Sequence, residues 1–169
     1  MSETAALPAA LAIDRLDYRD PRDAADLVLL LDAYARDPMG GGEALPADVA
    51  ETLAAALAEV PGAFSLVARR DGAALGLANC FTHFSTFAAK PLINIHDVVV
   101  LPGRRGQGIA RALFGGIEAE ARSRGACKVT LEVLSGNLRA KSLYQSLGYG
   151  DFTLDPAAGH ALFWQKRLT

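Results

Sequence analysis

Cysteine is scarce in this chain of 169 residues: Cys80 and Cys127 are the only two, too few and too far apart for a disulfide framework or a zinc site of the Cys-x-x-Cys kind. Both are expected to be reduced core thiols, and no metal site is expected, because His83 and His160 have no partners at ligand spacing. An excess of charge of one sign is also missing. Against 17 Lys+Arg stand 19 Asp+Glu, a formal net charge of -2, which leaves no basic footprint for a nucleic-acid backbone. No run of apolar residues approaches the ~18 of a membrane span, so no membrane partner is expected. The opening MSETAALPAALAI lacks the basic region of a signal peptide and meets Asp14 and Arg15 at once. A cytoplasmic protein is expected. The 51% hydrophobic content suffices for a sizeable core, with residues 1–12 as a loose tail and residues 13–169 as one domain.

The periodicities alternate between strand and helix. Ile13 to Tyr18 suits a short strand, and Asp20-Pro21 opens a helix carrying Leu27, Leu30, Leu31 and Tyr34 on one face. Asp37-Pro38-Met39-Gly40-Gly41-Gly42 breaks it into a loop. A second helix, with Val49, Leu53, Leu57 and Val60, ends at Pro61-Gly62. Phe64 to Arg69 and Ala73 to Phe84 read as strands joined at Asp71-Gly72, a dipeptide suited to a tight hairpin. Leu92 to Leu101 is apolar on both faces, as a central strand is. Lys128 to Leu134 is a further strand, Asn137 to Leu147 a helix stopped by Gly148, and Phe152 and Ala161 to Lys166 two closing strands. The fold class expected is α+β (α/β mixed), with helices covering a mostly antiparallel sheet.

The chemistry gathers where the central strand meets a glycine-rich turn and a helix, at Pro102-Gly103-Arg104-Arg105-Gly106-Gln107-Gly108-Ile109-Ala110-Arg111. Such a turn offers unpaired amides at the positive end of a helix dipole, an anion cradle suited to a pyrophosphate. Gly106 and Gly108 let a bulky phosphate approach the backbone, and Arg104, Arg105 and Arg111 add positive charge. A Walker loop is excluded by the missing Gly-Lys-Ser/Thr. A dinucleotide turn would want glycine in place of Arg111, an acid about 20 residues on, for which Glu132 stands, and preceding βαβ units rather than hairpin-like strands. The glycines would also suit a plain strand-to-helix turn.

Arg105, Gly108 and Ala110, preceded by Val98-Val99-Val100-Leu101-Pro102, match the Arg/Gln-x-x-Gly-x-Gly/Ala signature, and Leu131-Glu132-Val133, Asn137, Ala140, Tyr144, Gly148 and Tyr149 match a second motif in order and spacing. In these motifs the chain resembles the GNAT superfamily of N-acetyltransferases, over roughly residues 64–167. The resemblance implies a mixed sheet of six or seven strands with about four helices, acetyl-CoA as cosubstrate, and a homodimer. It places the pyrophosphate on the amides of Arg105, Gly106, Gln107, Gly108, Ile109 and Ala110, with Arg111, Asn137 and Ala140 also on the cofactor. The pantetheine arm would lie along the backbone of Val98, Val99 and Val100. Phe84-Ser85-Thr86-Phe87, Asn94 to Val100 and Gly159-His160-Ala161-Leu162-Phe163 resemble, more narrowly, the spermidine/spermine (diamine) N-acetyltransferase branch. That branch has Glu-Asp where His96-Asp97 stands, and carboxylates that attract a polycation where this chain has Asp37-Pro38 and Ala157-Ala158. The acceptor expected is therefore a primary amine of a small molecule or a peptide.

An alkyl amine, with a pKa near ~10, must lose a proton before attacking a thioester, so a base is useful. His96, as an imidazole with an ordinary pKa near ~6.5, could accept that proton directly or through water, or could instead be a buried histidine held by a carbonyl. Strict alternation along the strand sets His96 and Asp97 on opposite faces and leaves Asp97 a structural acceptor. The family's oxyanion donor is a backbone N–H among Val98 to Val100. Tyr144 is the expected proton donor to the leaving thiolate, against a plain core role in register with Leu143 and Leu147. Tyr34, Asp37 and Met39, at a helix end and the glycine-rich loop, are the expected substrate-facing positions. The rival function is a non-catalytic acyl-CoA-binding sensor built on the same cradle.

Overall fold

The computed structural model describes residues 10–153, 155, 157 and 159–168. It divides into two compact units, Met1–Leu131 and Glu132–Thr169. Five strands form one sheet in the order β1-β2-β3-β4-β5: β1 (Ala12–Arg15), β2 (Ala63–Arg70), β3 (Ala73–Ser85), β4 (Lys90–Val100) and β5 (Val129–Leu131). The first three pairings are antiparallel and the β4–β5 pairing is parallel, as expected for a mixed, mostly antiparallel sheet. The hairpin between β2 and β3 turns at Asp71 and Gly72, both with positive φ (52° and 74°), the primed geometry that the Asp-Gly dipeptide specifies.

Helices cover both faces. In α1 (Pro21–Ala35) the Asp20 carboxylate accepts from the amides of Arg22 and Asp23, so the Asp-Pro pair works as cap and first residue. Its Leu27 and Leu30, together with Leu16, pack on Val67, Leu77 and Val99, which stand in register across β2, β3 and β4. Leu53 and Leu57 of α2 (Ala47–Ala58) extend the same cluster. On the other face α3 (Ile109–Ser123) buries Ile109, Leu113, Phe114 and Ile117. It lies so close to β3 that a Cβ on Gly76 would meet Ile109 Cγ2 at 3.0 Å. The second unit contains α4 (Leu138–Ser146), capped by Asn137, whose Oδ1 accepts from the amide of Ala140 at 3.2 Å.

Several expectations are corrected. Among the described residues the sheet has five strands rather than six or seven: Phe152 and the stretch from Ala161 to Lys166 are not strands. β-propensity reflects packing against neighbouring strands, and among the described residues no ladder receives these; Leu162, Phe163 and Trp164 are exposed instead. Val60 lies beyond the end of α2 and is exposed. Cys127 is exposed rather than in the core, whereas Cys80 is buried.

Burial, then the negative charge of Asp97, pushes the Cys80 thiol up to about 12. Since the thiolate is the reactive form, a disulfide reagent at pH 8 should label one thiol per folded chain, at Cys127, and the second only on unfolding. Mass spectrometry of the labelled peptides checks this. Rapid modification of Cys80 in the native protein would contradict the packing.

Candidate active site

Strand β4 pairs with β5 only from Ile93–Val129 to Ile95–Leu131, yet runs on to Val100. The amide of Leu101 donates to the carbonyl of Leu75 on the β3 side. By the alternation of an antiparallel ladder, Val98 and Val100 turn their amides and carbonyls to the opposite side, past the end of the β5 ladder. Arg105 Nε takes the Val100 carbonyl at 3.1 Å. The backbone of Val98 is thus a strand edge available to an extended ligand.

A 3-10 turn at Pro102–Arg104 then leads into α3. Gly106 and Gly108 both have positive φ (82° and 77°), and a Cβ on either would meet no protein atom within 4 Å. The left-handed backbone favours glycine at both positions, and the open space beside them leaves room for a ligand against the backbone. Gly108 is the N-cap of α3, and no side chain caps that helix. The amides of Gly108, Ile109 and Ala110 stand at the start of α3, where a helix has no internal acceptors for its first amides and its dipole is positive. Arg105 also reaches the end of α1, where its Nη2 pairs with Asp37 Oδ2 at 2.6 Å. Gln107 accepts from Arg70 Nη1 at 3.1 Å.

A cavity of about 400 Å³ opens between the helices and the sheet in the first unit. Leu31 and Tyr34 of α1, Leu53 and Leu57 of α2, and Leu45 between the two helices form one side. Phe81, Asn79, His96 and Asp97 close it from the sheet. The opposite-face expectation for His96 and Asp97 fails here, because of a β-bulge. Asn79 pairs with Asp97 but Cys80 pairs with Ile95, so His96 is the extra residue, and the bulge brings it and Asp97 into one cavity wall. His96 is exposed and sits edge-on to Phe81, with ring centroids 5.7 Å apart, so the reading as a buried, carbonyl-held histidine does not apply.

Tyr34 lines the cavity, and burial, followed by the charges of Asp97 and Asp37, pushes its phenol pKa up. Asp37 does not line it. Its Oδ1 accepts from the amide of Met39 at 2.9 Å and its Oδ2 holds Arg105, and the Arg105 guanidinium keeps its carboxyl below the usual range. Met39 is exposed and outside the cavity wall. Sequence reasoning missed Asn79, Phe81 and the second helix's Leu53 and Leu57 as site residues. Only the arrival of three separated elements in one place reveals them. In the second unit Tyr144 is half-buried on α4, its ring 6.4 Å from that of Tyr149. Among the described residues no three His, Cys, Asp or Glu side chains cluster as a metal site, and no helix is long and apolar enough to cross a membrane.

Residues 27–149 match the model of the Acetyltransferase (GNAT) family. The chain is 30% identical over 88 residues to an uncharacterized N-acetyltransferase, YhfO, of Bacillus subtilis, covering 52% of this chain and 59% of that one. It is 38% identical over 77 residues to the streptothricin acetyltransferase of Streptomyces lavendulae, covering 46% and 41%. The matches thus span about half the length of these curated relatives. Among solved structures, an aminoglycoside N-acetyltransferase in complex with CoA superposes with a TM-score of 0.72 at 17% identity, over 96% of this chain and 99% of that one. The strand edge, the uncapped glycine turn and the family match agree, and the chain belongs to the GNAT family of acetyltransferases.

Proposed function

We propose that the chain is an acetyl-CoA-dependent N-acetyltransferase that acetylates a primary amine of a small molecule or a peptide by direct attack on the thioester. The observation that carries this reading is the cradle: two positive-φ glycines with open space above them at an uncapped helix start. A pyrophosphate suits it, through the amides of Gly106 to Ala110 with Arg111 adjoining, and the pantetheine arm suits the backbone of Val98 to Val100, where Val98 presents the available edge. Asn137 and Ala140 complete the proposed cofactor set, Asn137 through its capping of α4. Bound acetyl-CoA supplies an activated acetyl carbonyl. The amide of Val98 would donate to that carbonyl oxygen as negative charge develops on it. His96 Nδ1 or Nε2, at the exposed end of the cavity, would accept the ammonium proton, directly or through water. Tyr144 Oη would return a proton to sulfur. Tyr34 would contact the amine, while Asp37 would act through Arg105 and Met39, by holding the loop, rather than on the amine itself. A cytoplasmic homodimer is part of the same proposal. The narrower likeness to the diamine branch rests on its motifs alone.

Acetyl-CoA at about 100 times its Kd should stabilise the folded chain by roughly 2.7 kcal/mol, a rise in Tm of about 5 to 11 °C for a chain of this length. NAD at the same concentration should leave Tm within error. A larger rise with NAD overturns the assignment of the cradle.

His96→Gln retains a hydrogen-bonding side chain but cannot accept a proton near neutrality. We expect it to lower kcat/KM at pH 7 by about 10²-fold, the low end for a general base, with the acetyl-CoA-induced rise in Tm left in place. An unchanged kcat/KM in His96→Gln would return proton removal to water.

A further inference from the structure

We infer that the acceptor is a monocation: one primary ammonium group presented to Asp97 and His96, on a compact apolar body that packs against Leu31, Leu53, Leu57 and Phe81, with polycationic amines poor acceptors. This rests on the acetyltransferase reading and deepens it.

Three neighbouring carboxylates differ in what they have left to offer. Asp32 is occupied by Arg36 Nε (2.8 Å) and the amide of Leu45 (2.9 Å). Asp37 is occupied by Arg105 and the amide of Met39. Asp97 alone lines the cavity. Its Oδ2 accepts from Asn79 Nδ2 at 3.0 Å, and its Oδ1 has no hydrogen-bond partner among the described residues.

A buried relay holds Asp97 as an acceptor. Ser65 Oγ donates its one hydrogen to Asn79 Oδ1 at 2.6 Å, so the Tyr18 hydroxyl, 2.8 Å away, must be the donor to Ser65. Asn79 then has only its amino group to offer Asp97. Tyr18, Ser65 and Asn79 donate in one direction, across three strands, to the Asp97 carboxylate. Ser65 and Asn79 are buried, so reversing one member would leave a buried polar group unmatched.

The cavity therefore offers one anionic oxygen, backed by a fixed relay, in a wall otherwise largely leucine and aromatic, with no lysine or arginine on it. A single ammonium is complemented there. A second ammonium carried into the cavity would find no second carboxylate on its wall, and burying an unpaired charge is strongly unfavourable. The volume of about 400 Å³ lies at the small end of ligand cavities.

Hexylamine and cadaverine are the discriminating pair: they have the same number of heavy atoms and differ in a terminal methyl against a terminal ammonium. With acetyl-CoA and the full chain, kcat/KM for hexylamine should exceed that for cadaverine by at least about tenfold. From ethylamine to hexylamine it should rise by about fourfold per methylene until the cavity fills. Asp97→Asn can still accept from Asn79 and should raise KM for hexylamine at least about tenfold, while inhibition by uncharged hexanol and the acetyl-CoA-induced rise in Tm stay unchanged. Equal or faster acetylation of cadaverine, or acetylation confined to aminoglycosides or peptides, overturns the inference and leaves the transferase reading standing. Acetyl-CoA binding without transfer to any amine overturns both.

Discussion

Tyr144→Phe should lower kcat by about 10²-fold while leaving the acetyl-CoA-induced rise in Tm in place. General-acid removal spans about 10²- to 10⁴-fold. A thiol with an ordinary pKa near ~8.5 is a better leaving group than an alkoxide and needs less help from a phenol near ~10, which argues for the low end. The substitution retains the ring, and with it the 6.4 Å ring-to-ring spacing to Tyr149 within the second unit, so stability should change little. Stopped-flow and steady-state thiol release, with Tm measured beside them, separate the two roles. A variant with unaltered kcat would make Tyr144 a packing residue only, in register with Leu143 and Leu147.

The largest effect on binding is expected at Gly108. Gly108→Val sets a β-branched side chain at a φ of 77°, which costs of order 1 to 3 kcal/mol of stability. It also fills the space where no protein atom comes within 4 Å. The acetyl-CoA-induced rise in Tm should vanish. Gly108→Ala has a similar backbone penalty with a single methyl group, so it isolates strain from obstruction and should bind acetyl-CoA weakly but measurably. A folded Gly108→Val variant with an unchanged rise in Tm would move the cradle elsewhere.

What could be read in the sequence, and what could not, divides by range. The Asp20-Pro21 cap, the Asp71-Gly72 hairpin and the glycine turn are local: each is specified by residues within a few positions, and each has the expected conformation. The Arg105–Asp37 pair joins residues 68 apart in sequence, and nothing in either segment announces it. Arg105, read as a phosphate ligand, bonds two protein groups, and Asp37, read as substrate-facing, holds a loop. The bulge at His96 is harder still. An extra residue opposite Asn79–Cys80 leaves no mark in an otherwise regular strand sequence, yet it turns a strand with alternating faces into one that presents histidine and aspartate side by side. The C-terminal stretch misleads for the opposite reason. Phe163 and Trp164 have high strand propensity, but among the described residues no ladder pairs with them, and they are exposed.

The central claim is that this cradle and cavity transfer an acetyl group to an amine rather than sense acyl-CoA. The most direct measurement incubates the full chain with acetyl-CoA and a mixture of alkyl amines, diamines, amino acids, aminoglycosides and peptides, and quantifies free CoA thiol and N-acetylated products together by mass spectrometry. The account predicts equal amounts of free CoA and of total N-acetylated amine, both lost in the His96→Gln, Tyr144→Phe double variant. Acetyl-CoA bound tightly enough to raise Tm, with no acetylated amine and no thiol released above the uncatalysed rate, would contradict it and make the protein a sensor.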